Sequence, residues 1–336
     1  MSVPFILALT VLCLALSAVA TGRVLVWLRQ RQILDHPNSR SSHDRPTPRG
    51  GGLAVVPVVV LCWTVLAVLG LVPLGTLAAV VAASALAILS WRDDQSNLPV
   101  SVRLVAQFAA VLVGLFSLPG SGPVFQGLLP PVLDFFATAL LWVWFVNLFN
   151  FMDGIDGITA SETVTIGLGV ALIALFAEDF ESGAVPLGLS IAAAALGFLA
   201  WNWHPAKLFL GDVGSIPLGF LLGWLLLGLA TTGSWAPALI LPLYYLTDAT
   251  LTLAIRLARR RRVWEAHREH FYQHAVQHGS SHAEVVLRIA GINLALVLLA
   301  LMATDWPFLA VALAASAVAG LLVWLLRRPE GTAAQG

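Results

Sequence analysis

Charge is what this sequence has least of. Of its 336 residues only 11% are Asp, Glu, Lys or Arg, whereas 59% are hydrophobic; an ordinary globular protein carries about 25% charged residues. Such a chain has too little polar surface to live in water as a compact soluble domain. Lysine is nearly absent, with Lys207 the single example. Cysteine is scarce too. Cys13 and Cys62 lie inside apolar blocks with no CxxC or CxxH context, which excludes a thiolate metal site or a disulfide framework and leaves two small buried hydrophobes. Formal net charge is +0, so the average charge identifies no partner, and no nucleic-acid partner is expected. Nothing basic precedes the first apolar block and no cleavage site ends it, so it reads as a membrane span rather than a signal peptide.

What is present is a series of apolar blocks of about 17 to 25 residues, the length needed to cross about 30 Å of hydrocarbon. Eleven spans are predicted, near 3–27, 51–69, 73–91, 101–118, 131–150, 160–177, 185–203, 213–231, 236–256, 286–303 and 306–326. The fold class is therefore all-α: a polytopic integral membrane helical bundle of 10–11 transmembrane helices, a single domain over residues 1–330 with a short tail at 331–336. Numbering the gaps alternately separates the charges. All 18 Lys and Arg fall in one set of gaps (28–50, 92–100, 151–159, 204–212, 257–285 and the C-terminal tail) or on the helix ends bordering it. By the positive-inside rule that set is cytoplasmic and the N-terminus is outside.

The chemistry-bearing residues gather on the same side. The loop LDHPNSRSSHDRPTPRGGG (34–52) offers Arg40, His43, Arg45 and Arg49 with a glycine triplet leading into a helix, a composition that suits phosphate oxygens or, alternatively, a simple positive-inside turn. Asp93 and Asp94 end the third span; like charges there cost energy unless a cation or proton offsets them, and adjacent helical residues point about 100° apart. In NLFNFMDGIDGI, Asn147, Asn150 and Asp153 recur every third residue as a polar stripe that Asp156 continues past Gly154. Asp212, between Gly211 and Gly214, stands at a helix start, where an N-cap is the plain alternative; Lys207 lies just before it. A late segment, RRRRVWEAHREHFYQHAVQHG (259–279), holds four histidines, of which His267, His270 and His274 would share one helical face. No thiolate or HExxH pattern points to zinc, and the carboxylates and carboxamides suit a hard cation such as Mg²⁺, with Mn²⁺ as its substitute. The implied substrate is an anionic phosphate compound met at the cytoplasmic membrane surface.

These motifs resemble, in order and across nearly the whole chain, the polyprenyl-phosphate N-acetylhexosamine-1-phosphate transferases of glycosyltransferase family 4 type. The matching elements are NxxNxxDGxDG, the Asp93–Asp94 pair, FLGDVGS (Phe209 to Ser215), PNxRxxHxxPxPxxGG (Pro37 to Gly51) and the late histidine loop. The resemblance implies a multi-pass enzyme of the bacterial inner membrane that joins a UDP-N-acetylhexosamine donor to an undecaprenyl phosphate acceptor, with a homodimer as one candidate assembly. It further implies that Asp212 and Asp94 hold Mg²⁺ and that Asp93 or Asp94 takes the lipid phosphate proton. Asp156 and His270 would act at the reacting diphosphate. Asn147, Asn150, Asp153, Arg40, His43, Arg49, Lys207, Arg268 and His274 would bind substrate. The late loop departs from the HxHH or HHH of many relatives, since Tyr272 and Gln273 stand where histidines would fall. That change resembles a branch starting O-antigen chains on HexNAc or 6-deoxy-HexNAc donors. Two other readings compete. An ion-coupled transporter would need acids near the midplane and a repeat, and neither is found. A CDP-alcohol phosphotransferase would need DGxxAR after Asp153, where the chain reads DGIDGITAS.

Overall fold

The structure is a computed structural model and describes residues 1–37, 42, 45–96, 98–177, 183–262 and 267–327. Arg40, His43 and the tail from 328, all named above, lie outside the described residues. The elements in chain order are α1 (Val3–Gln30), β1 (Leu34–Asp35), β2 (Thr47–Pro48), α2 (Gly52–Val68), α3 (Thr76–Ser96), α4 (Val100–Leu115), α5 (Pro131–Phe151), α6 (Ile158–Phe176) and α7 (Ala184–Asn202). Then follow α8 (Asp212–Thr231), α9 (Trp235–Ile240), α10 (Leu243–Ala258), α11 (Phe271–Gln277), α12 (His282–Met302) and α13 (Pro307–Leu326). Eight of these helices are long and apolar enough to cross a membrane, and α2 and α4 are shorter apolar helices. The chain is a polytopic helical membrane protein.

Ten of the eleven predicted spans are single helices; the ninth is two. Pro242 lacks the N–H a continuous helix would need there, so 236–256 divides into α9 and α10. A second difference lies in α3, which runs on to Ser96, so Asp93 and Asp94 are helical residues and not loop residues. A third is in the polar stripe: α5 ends at Phe151, so Asn147 and Asn150 are on the helix and Asp153 and Asp156 follow it.

At the centre stands α8, buried from Val213 to Thr231 and packed against α2, α3, α5, α6 and α9. Lipid tails are as apolar as leucine, so helices in a bilayer gain by approaching closely over small residues. At the N-terminal end of α8 this approach is backbone on backbone. A Cβ added to Gly52 would lie 2.3 Å from the Gly214 Cα. The periphery is the reverse, and on α1, α12 and α13 large side chains such as Val11, Leu298 and Phe308 are exposed where hydrocarbon would cover them. Inside the bundle buried polar groups meet one another, as where Trp63 Nε1 donates to Ser190 Oγ at 3.0 Å and Asn293 Nδ2 to Glu162 Oε2 at 2.5 Å, although Glu162 Oε1 and Asn293 Oδ1 are left without a partner among the described residues.

Candidate active site

Five segments far apart in sequence meet at one end of the bundle. The early loop forms the β1–β2 hairpin, with Leu34 opposite Pro48 and Asp35 opposite Thr47. Its second arm then pairs with the stretch before α8: Phe209 N donates to Pro48 O at 2.9 Å, Gly51 N to Phe209 O at 2.8 Å and Gly52 N to Leu210 O at 2.9 Å. This parallel bridge fixes Arg49 beside Asp212, the first residue of α8. Gly211, at φ +75°, makes the turn between them, and a side chain there would run into Arg49 and Asp94.

Arg49 is the hub. Its Nη2 contacts Asp94 Oδ1 at 3.0 Å and also ion-pairs with Asp212 Oδ1. The two carboxylates hold the guanidinium's pKa above its ordinary value, against burial that would lower it. Asp94 Oδ2 also accepts from Val213 N at 3.4 Å. Asn150 Oδ1 accepts from Ser215 Oγ at 2.6 Å, tying the end of α5 to α8. Burial pushes the Asp153 carboxyl up to about 6, opposed by a hydrogen bond from Thr159 and by the Arg49 charge. Beside them lies a cavity of about 390 Å³ lined by Arg49, Asn150, Asp153, Asp156 and Asp212, with Asn202, His267, Gln273 and His282 on its other walls.

The far wall is built around Asp156. Its Oδ2 accepts from Ala206 N at 3.1 Å and lies 2.7 Å from His204 Nδ1 and 3.3 Å from His282 Nδ1. Burial would raise this carboxyl, but the hydrogen bonds from His282, His204 and Ala206 hold it below the usual carboxylate range. Gly157, at φ +79°, turns the chain into α6 while its N–H donates to Asn202 Oδ1 at 2.9 Å. His267 also faces the cavity, and burial together with His270 and Arg256 brings its pKa down to about 4, so its imidazole is neutral at pH 7.

Several residues expected at the site lie elsewhere. Asp93 turns from the cavity, accepting from Leu98 N at 2.6 Å and Arg103 Nη1 at 3.0 Å; its neighbour Asp94 points the other way, as helical geometry requires. Asn147 faces α4 and donates to Gln107 Oε1 at 2.7 Å, because a three-residue spacing drifts round a helix that turns every 3.6 residues. Lys207 lies over the Trp201 ring, 5.5 Å from its centroid. The three late histidines do not share a helical face, since α11 begins only at Phe271. His270 caps that helix and is 2% exposed, with Nδ1 3.1 Å from Asp248 Oδ1. His274 stacks on His278, with ring centroids 4.0 Å apart. Neither lines the cavity, nor does Arg268, whose carbonyl accepts from Gln277 Nε2.

Sequence spacing missed Asp35, Asn202, His204, Gln273 and His282 as site residues. None belongs to a repeat or a local motif that signals chemistry. They reach the cavity region because the end of β1, the end of α7 with the loop after it, the first turn of α11 and the start of α12 converge there.

The donor set at the Arg49 end consists of oxygens from Asp94, Asp212, Asn150 and Asp153, without a thiolate. Hard divalent cations take such ligands. The single Arg49 guanidinium offsets only one of the three carboxylate charges, which leaves net negative charge for a cation. The residues present therefore fit a Mg²⁺-class ion.

Comparison with known proteins finds relatives of the chain. The sequence model of glycosyl transferase family 4 matches residues 76–230. A probable undecaprenyl-phosphate N-acetylglucosaminyl 1-phosphate transferase of Bacillus subtilis (strain 168) is 31% identical over 275 residues, 76% of this chain and 73% of the relative. A decaprenyl-phosphate N-acetylglucosaminephosphotransferase of Mycolicibacterium smegmatis is 30% identical over 312 residues, 80% of this chain and 75% of the relative. A shorter match, 40% over 87 residues, is to a phospho-N-acetylmuramoyl-pentapeptide-transferase of Moorella thermoacetica and covers 26% of this chain and 27% of that one.

Proposed function

The chain belongs to glycosyl transferase family 4, and from that premise we propose that it transfers a HexNAc-1-phosphate, or its 6-deoxy form, from a UDP-sugar to undecaprenyl phosphate. The coarser activity is that of a polyprenyl-phosphate N-acetylhexosamine-1-phosphate transferase. In the finer reading, a lipid phosphate oxygen attacks the sugar-side phosphorus. A new P–O bond forms, the bond to the UMP phosphate breaks, and UMP leaves with the electron pair. The lipid diphosphosugar would begin an O-antigen or another envelope polysaccharide at the inner membrane.

One observation carries this reading: Arg49, Asp212 and the Asn150–Asp153 stretch come from three separate segments to border a single polar cavity at the end of a membrane bundle, and Asp94 joins them through its ion pair with Arg49. Phosphoryl transfer asks a protein mainly for positioning and for charge neutralisation. Asp212, Asp94 and Asp153 would hold the Mg²⁺, with Asn150 as a neutral oxygen donor. When bound, the ion supplies charge neutralisation on the diphosphate. Arg49, held between Asp94 and Asp212, is within reach of the same oxygens and can exchange a carboxylate for a phosphate, its fork matching either. Of the adjacent acids, Asp94, beside Arg49, would take the proton from the acceptor phosphate, since Asp93 is engaged with Arg103. His267, neutral at pH 7, adds a lone pair or a donor without adding charge.

The test is a donor panel. Membranes containing the protein are supplied with undecaprenyl phosphate, Mg²⁺ and individual UDP-HexNAc or UDP-6-deoxy-HexNAc donors, and UMP and lipid-linked sugar are measured. The expected result is stoichiometric UMP and lipid product with at least one donor, abolished by a chelator and restored by Mg²⁺. If no donor gives UMP in the presence of Mg²⁺, the reading is wrong.

A further inference from the structure

We propose that Asp156, His204 and His282 form a second cation site, one that takes an imidazole-preferring divalent transition metal of the Zn²⁺ class. The proposal concerns the far wall of the cavity. It does not depend on which phosphate compound the other wall handles.

The three residues come from the loop after α5, the loop after α7 and the first position of α12, and their ligand atoms all lie within 4.8 Å of one another. Both imidazoles present Nδ1 to the same carboxylate oxygen, Asp156 Oδ2, at 2.7 and 3.3 Å. Donor atoms bound to one tetrahedral zinc at about 2.0–2.1 Å are separated by a little over 3 Å, so this spacing is near what such an ion imposes.

A hydrogen-bond reading of the cluster meets a conflict at His282. Its Nδ1 is 3.4 Å from the Asp156 backbone N, which can only donate, and 3.3 Å from Asp156 Oδ2, which accepts when ionised. A neutral ring nitrogen can serve one of these and not both. A cation between Nδ1 and Oδ2 draws a lone pair from each and so accounts for the approach of two acceptor atoms, at the cost only of the 3.4 Å contact from the Asp156 backbone N, which is at the outer limit of a hydrogen bond. Two neutral imidazoles and one carboxylate leave a bound Zn²⁺ with net charge of about +1. Asp156 and His282 line the cavity, so the remaining coordination position faces it and suits water or an anionic substrate oxygen. The ligand chemistry also separates the two walls. Imidazole suits Zn²⁺, whereas the oxygens around Asp212 suit Mg²⁺.

Purified protein in detergent is exchanged into metal-free buffer and titrated with Zn²⁺ by calorimetry, with metal content read after gel filtration. The other histidines of the late segment can also bind zinc, so variants decide the location. Wild type and Asp212→Asn are expected to retain one tight equivalent. His204→Gln and His282→Gln should each weaken that equivalent at least tenfold, and the double variant should lose it. His204 is partly exposed, so its substitution leaves packing intact; melting temperature without metal checks the fold of each variant. An independent readout uses wild type alone: added Co²⁺ should give the intense visible absorption of a four-coordinate N/O site, bleached by one equivalent of Zn²⁺. Undiminished zinc binding in the double variant, or only the weak spectrum of six-coordinate Co²⁺, would overturn the proposal and leave a hydrogen-bonded cluster.

Discussion

At the residue scale the adjacent acids are the sharpest case. Their identity is plain in the sequence, but their division of labour comes from the 100° between successive helical side chains. Asp94 reaches Arg49, while Asp93 reaches Arg103 and Leu98 N. Asp94→Asn is therefore expected to lower kcat by about 10²-fold or more, the usual scale for removing a group that acts on transition-state charge. Asp93→Asn should act mainly on stability, through loss of a partly buried ion pair. Steady-state kinetics with melting curves on both variants checks the split. Equal kcat losses at unchanged stability would contradict it.

Asp153 gives a pH dependence. Burial raises its pKa from 3.8 to about 6, and only the ionised form can ligate a cation. Affinity for Mg²⁺ should thus rise as pH increases toward about 6 and level off above it, with proton release on binding. Without cation the sign for folding is opposite. The raised pKa favours the folded state fully below 3.8, and this contribution is lost as pH rises through about 6. Calorimetric titration of Mg²⁺ at several pH values, in buffers of different ionisation enthalpy, measures the released proton; Asp153→Asn should abolish its pH dependence.

At the scale of elements, apolar block length was enough to locate the helices, because backbone groups in a bilayer must be satisfied within the helix. What block length cannot see is a break inside a block. The division at Pro242 and the extension of α3 to Ser96 depend on local backbone chemistry and tertiary contacts. The site shows the same limit. Asp94, Asn150, Asp153, Asp156 and Asp212 were legible as polar residues at apolar boundaries, whereas Asn202, Gln273 and His282 enter because the ends of three separate helices, α7, α11 and α12, meet at the cavity. The late histidines read as one helical face only while α11 was taken to include them. Asp248, fully buried on α10, instead gathers His270 Nδ1 at 3.1 Å and the amides of Phe271 and Tyr272 at 3.1 and 3.3 Å. Close packing of α2 on α8 leads to another expectation. Gly52→Ala has no room beside Gly214 and should cost about 1–3 kcal/mol by overpacking. Gly320→Ala on α13, with nothing within 4 Å, should be neutral or slightly stabilising. Melting temperatures in one detergent compare the two.

At the scale of the whole molecule, the site segments all belong to one end of an alternating bundle, and the described arginines with Lys207 belong to the gaps or helix ends on that side. The positive-inside rule makes an N-terminus outside the expectation to be tested. In a background lacking Cys13 and Cys62, a cysteine placed at Gly70 should react with an impermeant maleimide in intact cells. One placed at Arg260 should react only after lysis, and the reverse labelling would invert the orientation and move the cavity to the other face.

The central claim is that a phosphosugar moves, and not a bare sugar or a nucleotide. It is tested most directly by supplying an accepted UDP-HexNAc labelled separately at each phosphorus and following the label into lipid and water phases. The account predicts that the sugar-side phosphorus is recovered in the lipid product and the nucleotide-side phosphorus in UMP. Nucleotide-side label in the lipid, or release of both labels together as UDP, would contradict it.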